Sequence, residues 1–409
     1  MLKSSTKRAV ETRGLRLITA ALLSAAATLS ASHATAQEQP IKIGGIVSVT
    51  GGGASIGKVA EIAWKLAVED INAAGGVLGR KVQLVMADTQ TDPTHAVAEM
   101  RRLAVNEKVD LVVGPATSQE TIPVVAIANE YKLAQVSSAA STDLTPKFAP
   151  YHFSTSATGA NQLLPSINYA LDKKKYSKIA LLSDNGGMSK AAISDVVALL
   201  KTKNIQPVGV QEFAFRTEDM TPQLFSLRNA KPDVILMTNS LGDDTRKMLS
   251  NRGDIGWDVP VMTNQTTANF AVGIATAIGK ESFEGVYSVQ YVGMTYCKGD
   301  AVGASPFAKF VKRAQAAVPD LQRLGGAAAL TPYYIQPIIL AAAIKGSGKT
   351  DGASIAAWIE QNSDKIENMV GPLAASKETH FLPGPETLKV VTRPYDVRSD
   401  GLLERGDCP

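Results

Sequence analysis

The sequence predicts an α/β protein made of two lobes, each a parallel β-sheet covered by helices. Three observations lead to this prediction. Short apolar runs alternate with amphipathic segments from Ile41 onward, and this alternation is typical of βαβ winding. The alternation starts a second time after Thr155. The chain has 409 residues, which is too long for one compact core and suits two lobes.

The first half of the chain is expected to hold four strands and three helices. The predicted strands are residues 41–49, 81–87, 110–114 and 133–136, and the predicted helices are residues 58–73, 93–107 and 118–131. Gly75 and Gly76 end the first helix, and Asp92 with Pro93 begins the second, because Asp is a favoured N-cap and Pro fits the first helical turn. Strands joined in succession by helices imply a parallel sheet.

The second half repeats this winding. The predicted strands are residues 178–183, 207–213, 233–238 and 259–263, with helices over residues 188–203 and from residue 221. VDLVVGPATS in the first half and PDVILMTNSLG in the second occupy corresponding positions. Each reads as a buried strand that ends in small hydroxylic residues, which indicates two lobes of the same kind.

The region after Gly285 contains too few strands for a third sheet. It is expected to form helices over residues 332–344 and 352–361, then a strand and turn over residues 369–373 and a last strand within residues 386–397. The chain is therefore predicted to cross between the lobes three times. The first lobe is assigned residues 37–156 with 289–368, and the second residues 157–288 with 369–409. The result is two Rossmann-like lobes joined by a three-segment hinge, with a cleft at the carboxyl ends of the strands.

The N-terminus has the pattern of a secretory signal peptide. Five basic residues flank or precede an apolar run over residues 17–29, which is followed by Ala34-Thr35-Ala36. This is an A-x-A cleavage site, so residues 1–36 are assigned to the signal peptide. Cleavage leaves no Cys at the new N-terminus, and no later apolar run is expected to reach the roughly 20 residues that span a bilayer. The mature chain is expected to be a soluble periplasmic monomer.

The net charge excludes two classes of partner. The whole chain has 42 basic and 38 acidic residues; residues 1–36 hold five of the former and one of the latter, which leaves 37 of each. A neutral exported chain offers no basic surface for nucleic acid or for an anionic membrane.

The histidines and cysteines do not indicate a metal site or a cofactor. His95, His152 and His380 are isolated, and no Cys/His pair has metal-ligand spacing. Cys297 and Cys408 both lie in the exported part, where an oxidising compartment favours a disulfide over two free thiols.

One glycine-rich turn resembles a motif of the short-chain dehydrogenases. VTGGGASIG, residues 49–57, follows the first strand, and Ser156, Tyr169 and Lys173 match the types of their catalytic residues. However, Ser55 stands where that turn needs glycine, and the acidic Asp88 comes too late to bind a ribose. A reductase is therefore the remote alternative, and Gly51 to Gly53 are expected to form a rim loop.

Several longer segments resemble another family. IKIGGIVSVTGGGASIG, AVEDINAAGGVLGRKVQLVMADTQTDP, VDLVVGPATSQETIPVV, AQVSSAASTDLT and PYHFSTSAT are similar to the periplasmic binding proteins of ABC importers, in the leucine/isoleucine/valine-binding family of the type I fold. The resemblance covers essentially the whole mature chain. It implies an exported receptor that closes two lobes on a small solute and delivers it to a membrane permease. A periplasmic sensor subunit that presents its closed form to a receptor is the alternative.

The resemblance carries over binding residues in the first lobe. Ser118 opens the helix after the third strand, and the turn Ala139, Ala140 and Ser141 follows the fourth. In the family these stretches hold the ligand carboxylate and α-amine through hydroxyl and main-chain groups. Hydroxyls and free N–H groups at a helix start suit a carboxylate. The alternative is that Ser118 and Ser141 are only N-cap and turn residues.

The second lobe departs from the family pattern. Gln265 stands where the family has an acidic residue for the ligand ammonium, and Ile56, Met188 and Ser240 stand where aromatic residues are common. An amide cannot neutralise an ammonium taken out of water. The expected ligand is a small carboxylate, and the departure favours an aromatic or branched keto acid, or an amide, over an amino acid.

Overall fold

Five parallel strands form the first sheet, in the order β2-β1-β3-β4-β5. The computed structural model describes residues 39–408, so the predicted signal peptide lies outside the described residues. The strands are β1 (Ile41–Val47), β2 (Val82–Asp88), β3 (Leu111–Val113), β4 (Ala134–Ser137) and β5 (His152–Ser154). Each strand predicted for the first half is present. Strands β1 and β3 are two residues shorter than predicted, and β2 and β4 have the predicted length, shifted by one residue.

Three helices cover this sheet: α1 (Ala54–Ala73), α2 (Pro93–Arg102) and α3 (Ser118–Tyr131). Helix α3 has the predicted bounds. Helix α2 is capped by Asp92, whose carboxylate accepts a hydrogen bond of 2.8 Å from the His95 N–H, and a π-helical turn continues it over Leu103–Glu107. Helix α1 begins at Ala54 rather than at Lys58, because Gly51 adopts a φ of +78° that turns the chain early.

The second sheet has six strands in the order β12-β10-β9-β8-β6-β7. The strands of this half are β6 (Ile179–Asp184), β7 (Gly209–Phe213), β8 (Val234–Thr238), β9 (Val261–Thr263), β10 (Val286–Tyr291), β11 (Thr295–Tyr296), β12 (Leu388–Val391) and β13 (Leu403–Glu404). All pairs in the six-stranded sheet are parallel except β10 with β12. Strands β11 and β13 form a separate parallel pair.

Eight further helices complete the described chain. They are α4 (Gly159–Asn168), α5 (Gly187–Thr202), α6 (Thr221–Asn229), α7 (Gly242–Asp254), α8 (Gln265–Ile278), α9 (Pro306–Ala317), α10 (Ala327–Ser347) and α11 (Gly352–Asn362). Each sheet is sandwiched between helices, and its central strands are buried.

Helix α10 is longer and more apolar than the sequence analysis expects. It has 21 residues and is the only helix among the described residues that is long and apolar enough to cross a bilayer. However, 78% of its apolar window is buried inside the protein, against α1 and the first sheet. Its length shows that the expectation of no apolar segment of roughly 20 residues was wrong. Its burial shows that the helix is part of the protein core.

The chain segments between the two sheets differ in detail from the predicted crossings. Strand β10 continues the second sheet to Tyr291, two residues beyond the predicted limit at 289. Residues 369–373 form no strand, and the chain remains at the first sheet as far as Leu382, whose N–H donates to Ser154 O (2.9 Å). The lobe limits stay a prediction, and these pairings favour moving them to about residues 291 and 382.

The two cysteines form a disulfide. Cys297 and Cys408 are bonded, with their Cα atoms 5.8 Å apart and a sequence separation of 111 residues. The bond lies beside the β11–β13 pair and fastens the end of the chain to the segment that follows β10. The predicted disulfide is confirmed.

Candidate functional site

A cavity of about 530 Å³, counting the part that is open to solvent, lies between the two sheets. Elements of both lobes contribute to its wall, at the carboxyl ends of the strands. Six of the predicted site residues line it: Ile56, Ser118, Ala140, Met188, Ser240 and Gln265.

Two predicted residues do not line the cavity. Ala139 packs in an apolar cluster with Val125, Leu144 and Ala149, and Ser141 is fully buried, with its hydroxyl donating to Asp143 Oδ2 at 3.0 Å. The physical reason is the two-residue repeat of an extended chain. Because Ala140 faces the cavity, its two neighbours face away and Ser138 faces in. At this turn Ser138 and Ala140 therefore line the cavity, and the binding role of Ala139 and Ser141 stays a prediction.

Ser118 joins the two first-lobe segments of the site. Its Oγ accepts hydrogen bonds from the N–H groups of Ala140 (3.0 Å) and Ser141 (3.1 Å). A serine hydroxyl can accept two hydrogen bonds and donate one. With both acceptor positions in use, the hydroxyl hydrogen of Ser118 is left to donate to a ligand in the cavity.

Three helices begin at the cavity wall. Helix α3 starts at Ser118, α5 places Met188 in its first turn, and α8 starts at Gln265. The N-cap residues of α3 and α5 make no side-chain cap hydrogen bond, whereas at the start of α8 the Gln265 N–H donates to Gln162 Oε1 (3.3 Å) and the Ala268 N–H to Ser288 Oγ (3.2 Å). The starts of α3 and α5 face each other closely, since a Cβ added at Gly187 would lie 3.6 Å from the Gln119 backbone nitrogen. Free N–H groups and the helix dipoles therefore favour a negative group between them.

No Asp, Glu, Lys or Arg is among the described residues that line the cavity. Two carboxylates lie behind the wall and are occupied there. Glu120 accepts hydrogen bonds from the hydroxyls of Thr117 (2.6 Å), Ser48 and Thr89. Asp184 accepts from the N–H of Gly186 (2.8 Å) and of Ser240 (2.6 Å), which holds both second-lobe loops in place. Burial raises the pKa of Asp184.

Amide and phenol groups supply the polar wall that sequence reasoning missed. Gln162 on α4, Asn269 on α8 and Tyr333 on α10 line the cavity. Burial raises the pKa of Tyr333 to about 12, and a hydrogen bond with Ser138 pulls it down only in part, so the phenol is neutral near pH 7. Asn269 could have been predicted from the sequence, because it lies four residues after Gln265 and therefore on the same helix face.

The lobes touch on both sides of the cavity mouth. Ser55 Oγ donates to Asp243 Oδ2 (3.1 Å), and Thr142 Oγ1 donates to Asp195 Oδ2 (3.4 Å). Gly52, in the expected rim loop, lies directly against the Arg216 guanidinium, where a Cβ would come within 1.9 Å of a nitrogen. The cleft is therefore in a closed arrangement.

The residues that resembled a dehydrogenase triad do not meet. Ser156 lines the interlobe cavity, whereas Tyr169 and Lys173 line a separate surface groove beside Pro385 and Lys389. The aromatic ring of Tyr169 instead packs near Tyr287, with ring centres 5.8 Å apart. This geometry gives no support to a reductase.

Residues 40–391 match the family model described as periplasmic binding protein. The chain belongs to the type I periplasmic binding proteins of the Leu/Ile/Val-binding family. This is a family of solute-binding proteins rather than enzymes, and its members are periplasmic.

Curated relatives share about a quarter of their residues with the chain. The Leu/Ile/Val-binding protein BraC3 of Rhizobium johnstonii is 28% identical over 222 residues, which are 54% of this chain and 59% of that protein. A Leu/Ile/Val-binding protein homolog of Brucella melitensis is 25% identical over 366 residues, which are 89% of this chain and 94% of that protein. The chain is thus a substrate-binding protein of the branched-chain amino acid type by family.

Solved structures show the same fold. The substrate-binding protein LivJ from Streptococcus pneumoniae, in complex with isoleucine, is 22% identical with a TM-score of 0.71, covering 89% of this chain and 98% of that one. A solute-binding protein from Rhodopseudomonas palustris, in complex with 4-hydroxybenzoate, is 20% identical with a TM-score of 0.75, covering 90% of this chain and 96% of that one.

Proposed function

We propose that this protein is the periplasmic receptor of an ABC importer, that it works as a monomer, and that its ligand is a small carboxylate without an ammonium group. The observation that carries the proposal is the charge of the cavity wall. The uncapped starts of α3 and α5 lie at the cavity, and none of the described lining residues is acidic. Such a wall favours an anion and offers no counter-charge for a cation.

The first-lobe wall suits the carboxylate end of the ligand. Ser118 has a hydroxyl hydrogen to donate, and the first N–H groups of α3 have no partner within the helix. Both kinds of donor make strong hydrogen bonds to a carboxylate. Ser118 and Ala140 are accordingly the proposed first-lobe anchors, with Ser138 beside them in place of Ala139 and Ser141.

The rest of the cavity suits an apolar body. Ile56, Met188 and Phe270 supply apolar surface, and Pro332 and Tyr333 continue it on the first-lobe side. An aromatic or branched side chain fits such a wall. Both kinds of ligand occur in the names of similar proteins. Relatives are named for leucine, isoleucine and valine, which are branched, and one structural neighbour was solved with 4-hydroxybenzoate, which is aromatic. The absence of an acid among the described lining residues favours the amine-free acids.

Calorimetry with matched ligands tests the proposal. Phenylpyruvate and 4-methyl-2-oxopentanoate are compared with phenylalanine and leucine, and benzoate is added as a rigid aromatic acid. We expect the amine-free acids to bind at least roughly tenfold more tightly, because an unpaired buried ammonium costs more than one hydrogen bond returns. Gln265→Glu should weaken the amine-free acids by repulsion and strengthen the amino acids.

The control is Gln322→Glu, which makes the same change at an exposed position between α9 and α10. It should leave all five affinities unchanged. Tight binding of leucine or phenylalanine to the unaltered protein, with no response to Gln265→Glu, would contradict the proposal, because the amine would then be held elsewhere.

A further inference from the structure

We infer that Gln290, a residue outside the cavity wall, sets ligand specificity by fixing which amide atoms of Gln265 and Asn269 face the ligand. The inference rests on the proposed function, because it names which amine-free carboxylate the same cavity prefers. All three side chains are nearly inaccessible to solvent, with exposed fractions of 0% for Gln290, 3% for Gln265 and 8% for Asn269. Buried amides in a network have few ways to rearrange.

A backbone group determines the orientation of Gln290. Its Oε1 accepts a hydrogen bond from the Tyr291 N–H at 2.9 Å. A backbone N–H can only donate, so the side-chain atom that faces it must be the oxygen. The Nε2 of Gln290 therefore lies on the other side of the amide, where it donates to Asn269 Oδ1 at 3.0 Å.

The orientation of Gln265 follows from the same oxygen. Gln290 Oε1 also accepts from Gln265 Nε2, at 2.8 Å. Because Gln265 Nε2 faces Gln290, its Oε1 lies on the other side of the amide. This oxygen makes no hydrogen bond within residues 39–408 and is the atom left for the cavity.

Asn269 presents the opposite polarity. Its Oδ1 is held by Gln290, and within residues 39–408 its Nδ2 makes no hydrogen bond. Gln265 and Asn269 lie four residues apart on α8, on one face of the helix and one turn apart. The second-lobe wall therefore offers an acceptor and a donor side by side.

A hydroxyl group complements this pair. It donates one hydrogen bond, which suits Gln265, and it accepts hydrogen bonds, which suits Asn269. An ammonium can only donate and a methyl group does neither. Together with the proposed carboxylate anchors around Ser118 and the apolar residues of the wall, the structure assigns the cavity to a carboxylate with an aromatic body that also carries a hydroxyl.

The test uses calorimetry with 4-hydroxybenzoate, benzoate and 4-aminobenzoate, whose neutral aromatic amine is mainly a donor. The unaltered protein should bind 4-hydroxybenzoate roughly tenfold more tightly than the other two, the value of about one well-made hydrogen bond with both partners desolvated. Gln290→Leu frees both amides to rotate, so the preference for the hydroxyl should fall to about twofold or less while benzoate binds as before.

A second variant inverts one amide instead of releasing both. In Gln290→Glu both carboxylate oxygens accept, so Asn269 must turn its Nδ2 toward residue 290 and its oxygen toward the cavity. Two acceptors then face the ligand, and 4-aminobenzoate should bind more tightly than 4-hydroxybenzoate. A merely structural role for Gln290 would lower all three affinities together and would not reverse their order.

The matched control is Gln336→Leu. Gln336 is equally buried, and its Oε1 accepts from Trp64 Nε1 at 2.9 Å, away from the second-lobe wall. Its loss should leave the order of the three ligands unchanged. Equal binding of benzoate and 4-hydroxybenzoate, or an order that neither Gln290 variant alters, overturns the inference.

Two outcomes separate this inference from the proposed function. Binding of 2-oxo acids but of no benzoate would overturn the inference and leave the proposed function standing. Binding of amino acids alone would overturn both.

Discussion

The Ser118 hydroxyl links the two first-lobe segments of the cavity wall, because it accepts from two backbone N–H groups and has one hydrogen left. We predict that Ser118→Ala weakens carboxylate binding by about 1.5–3 kcal/mol, the range for hydrogen bonds to charged groups. Ser141→Ala is the matched control: its hydroxyl is bonded to Asp143 and buried away from the cavity, so calorimetry should show a change within about 0.5 kcal/mol. Equal losses in both variants would contradict this reading.

Helix α1 is the element that carries Ile56 into the cavity, and its position depends on a close contact with β1. A Cβ at Gly57 would lie 1.7 Å from Ser48 O, so Gly57→Ala must push the helix off the sheet. We predict a loss of about 3 kcal/mol in the free energy of unfolding, measured in urea. Gly253→Ala is the control, since nothing lies within 4 Å of its Cβ on α7, and it should stabilise by about 0.5–1 kcal/mol. If Gly57→Ala left the free energy of unfolding unchanged, the close contact between Gly57 and Ser48 O would be contradicted.

At the scale of the whole molecule, His152 makes stability depend on pH. Burial, with repulsion from His380, lowers its pKa to about 3 from 6.5. Between those values the unfolded chain binds the proton and the folded chain does not, so stability falls as pH drops below 6.5, by about 1.4 kcal/mol per unit. His152→Asn should flatten this slope in urea titrations from pH 6.5 to 4.5, whereas His95→Asn should not.

Asp244 contributes a pH dependence of stability with the opposite sign. The slope of stability against pH must therefore be compared between His152→Asn and the unaltered protein. Burial, with the nearby charge of Asp184, raises the pKa of Asp244 to about 7. In the unfolded chain this carboxyl ionises near 3.8, so its contribution to stability falls as pH rises toward 7. Because Asp244 is present in both proteins, its contribution cancels when their free energies of unfolding are subtracted at each pH. A difference that is constant with pH would show that His152 is not the group responsible.

The sequence by itself determined the alternating winding, the two sheets, the disulfide between Cys297 and Cys408, and the start of α3 at Ser118. These depend on local signals: apolar periodicity, caps, and cysteines in an exported chain. The resemblance to known binding proteins added which strand ends meet at the cleft. Six of the predicted residues indeed line the cavity, including Gln265 and Met188 from the second lobe.

Only the tertiary structure decided which residues of the turn after β4 face the cavity and how the amides of the second lobe are oriented. A slip of one residue along an extended segment exchanges inside for outside, so Ser138 and not Ala139 lies at the wall. Gln162 and Gln290 are far from Gln265 in sequence and meet it only because α4 and β10 pack beside α8. Local patterns carry no information on such contacts, since the donors and acceptors are matched across separate elements.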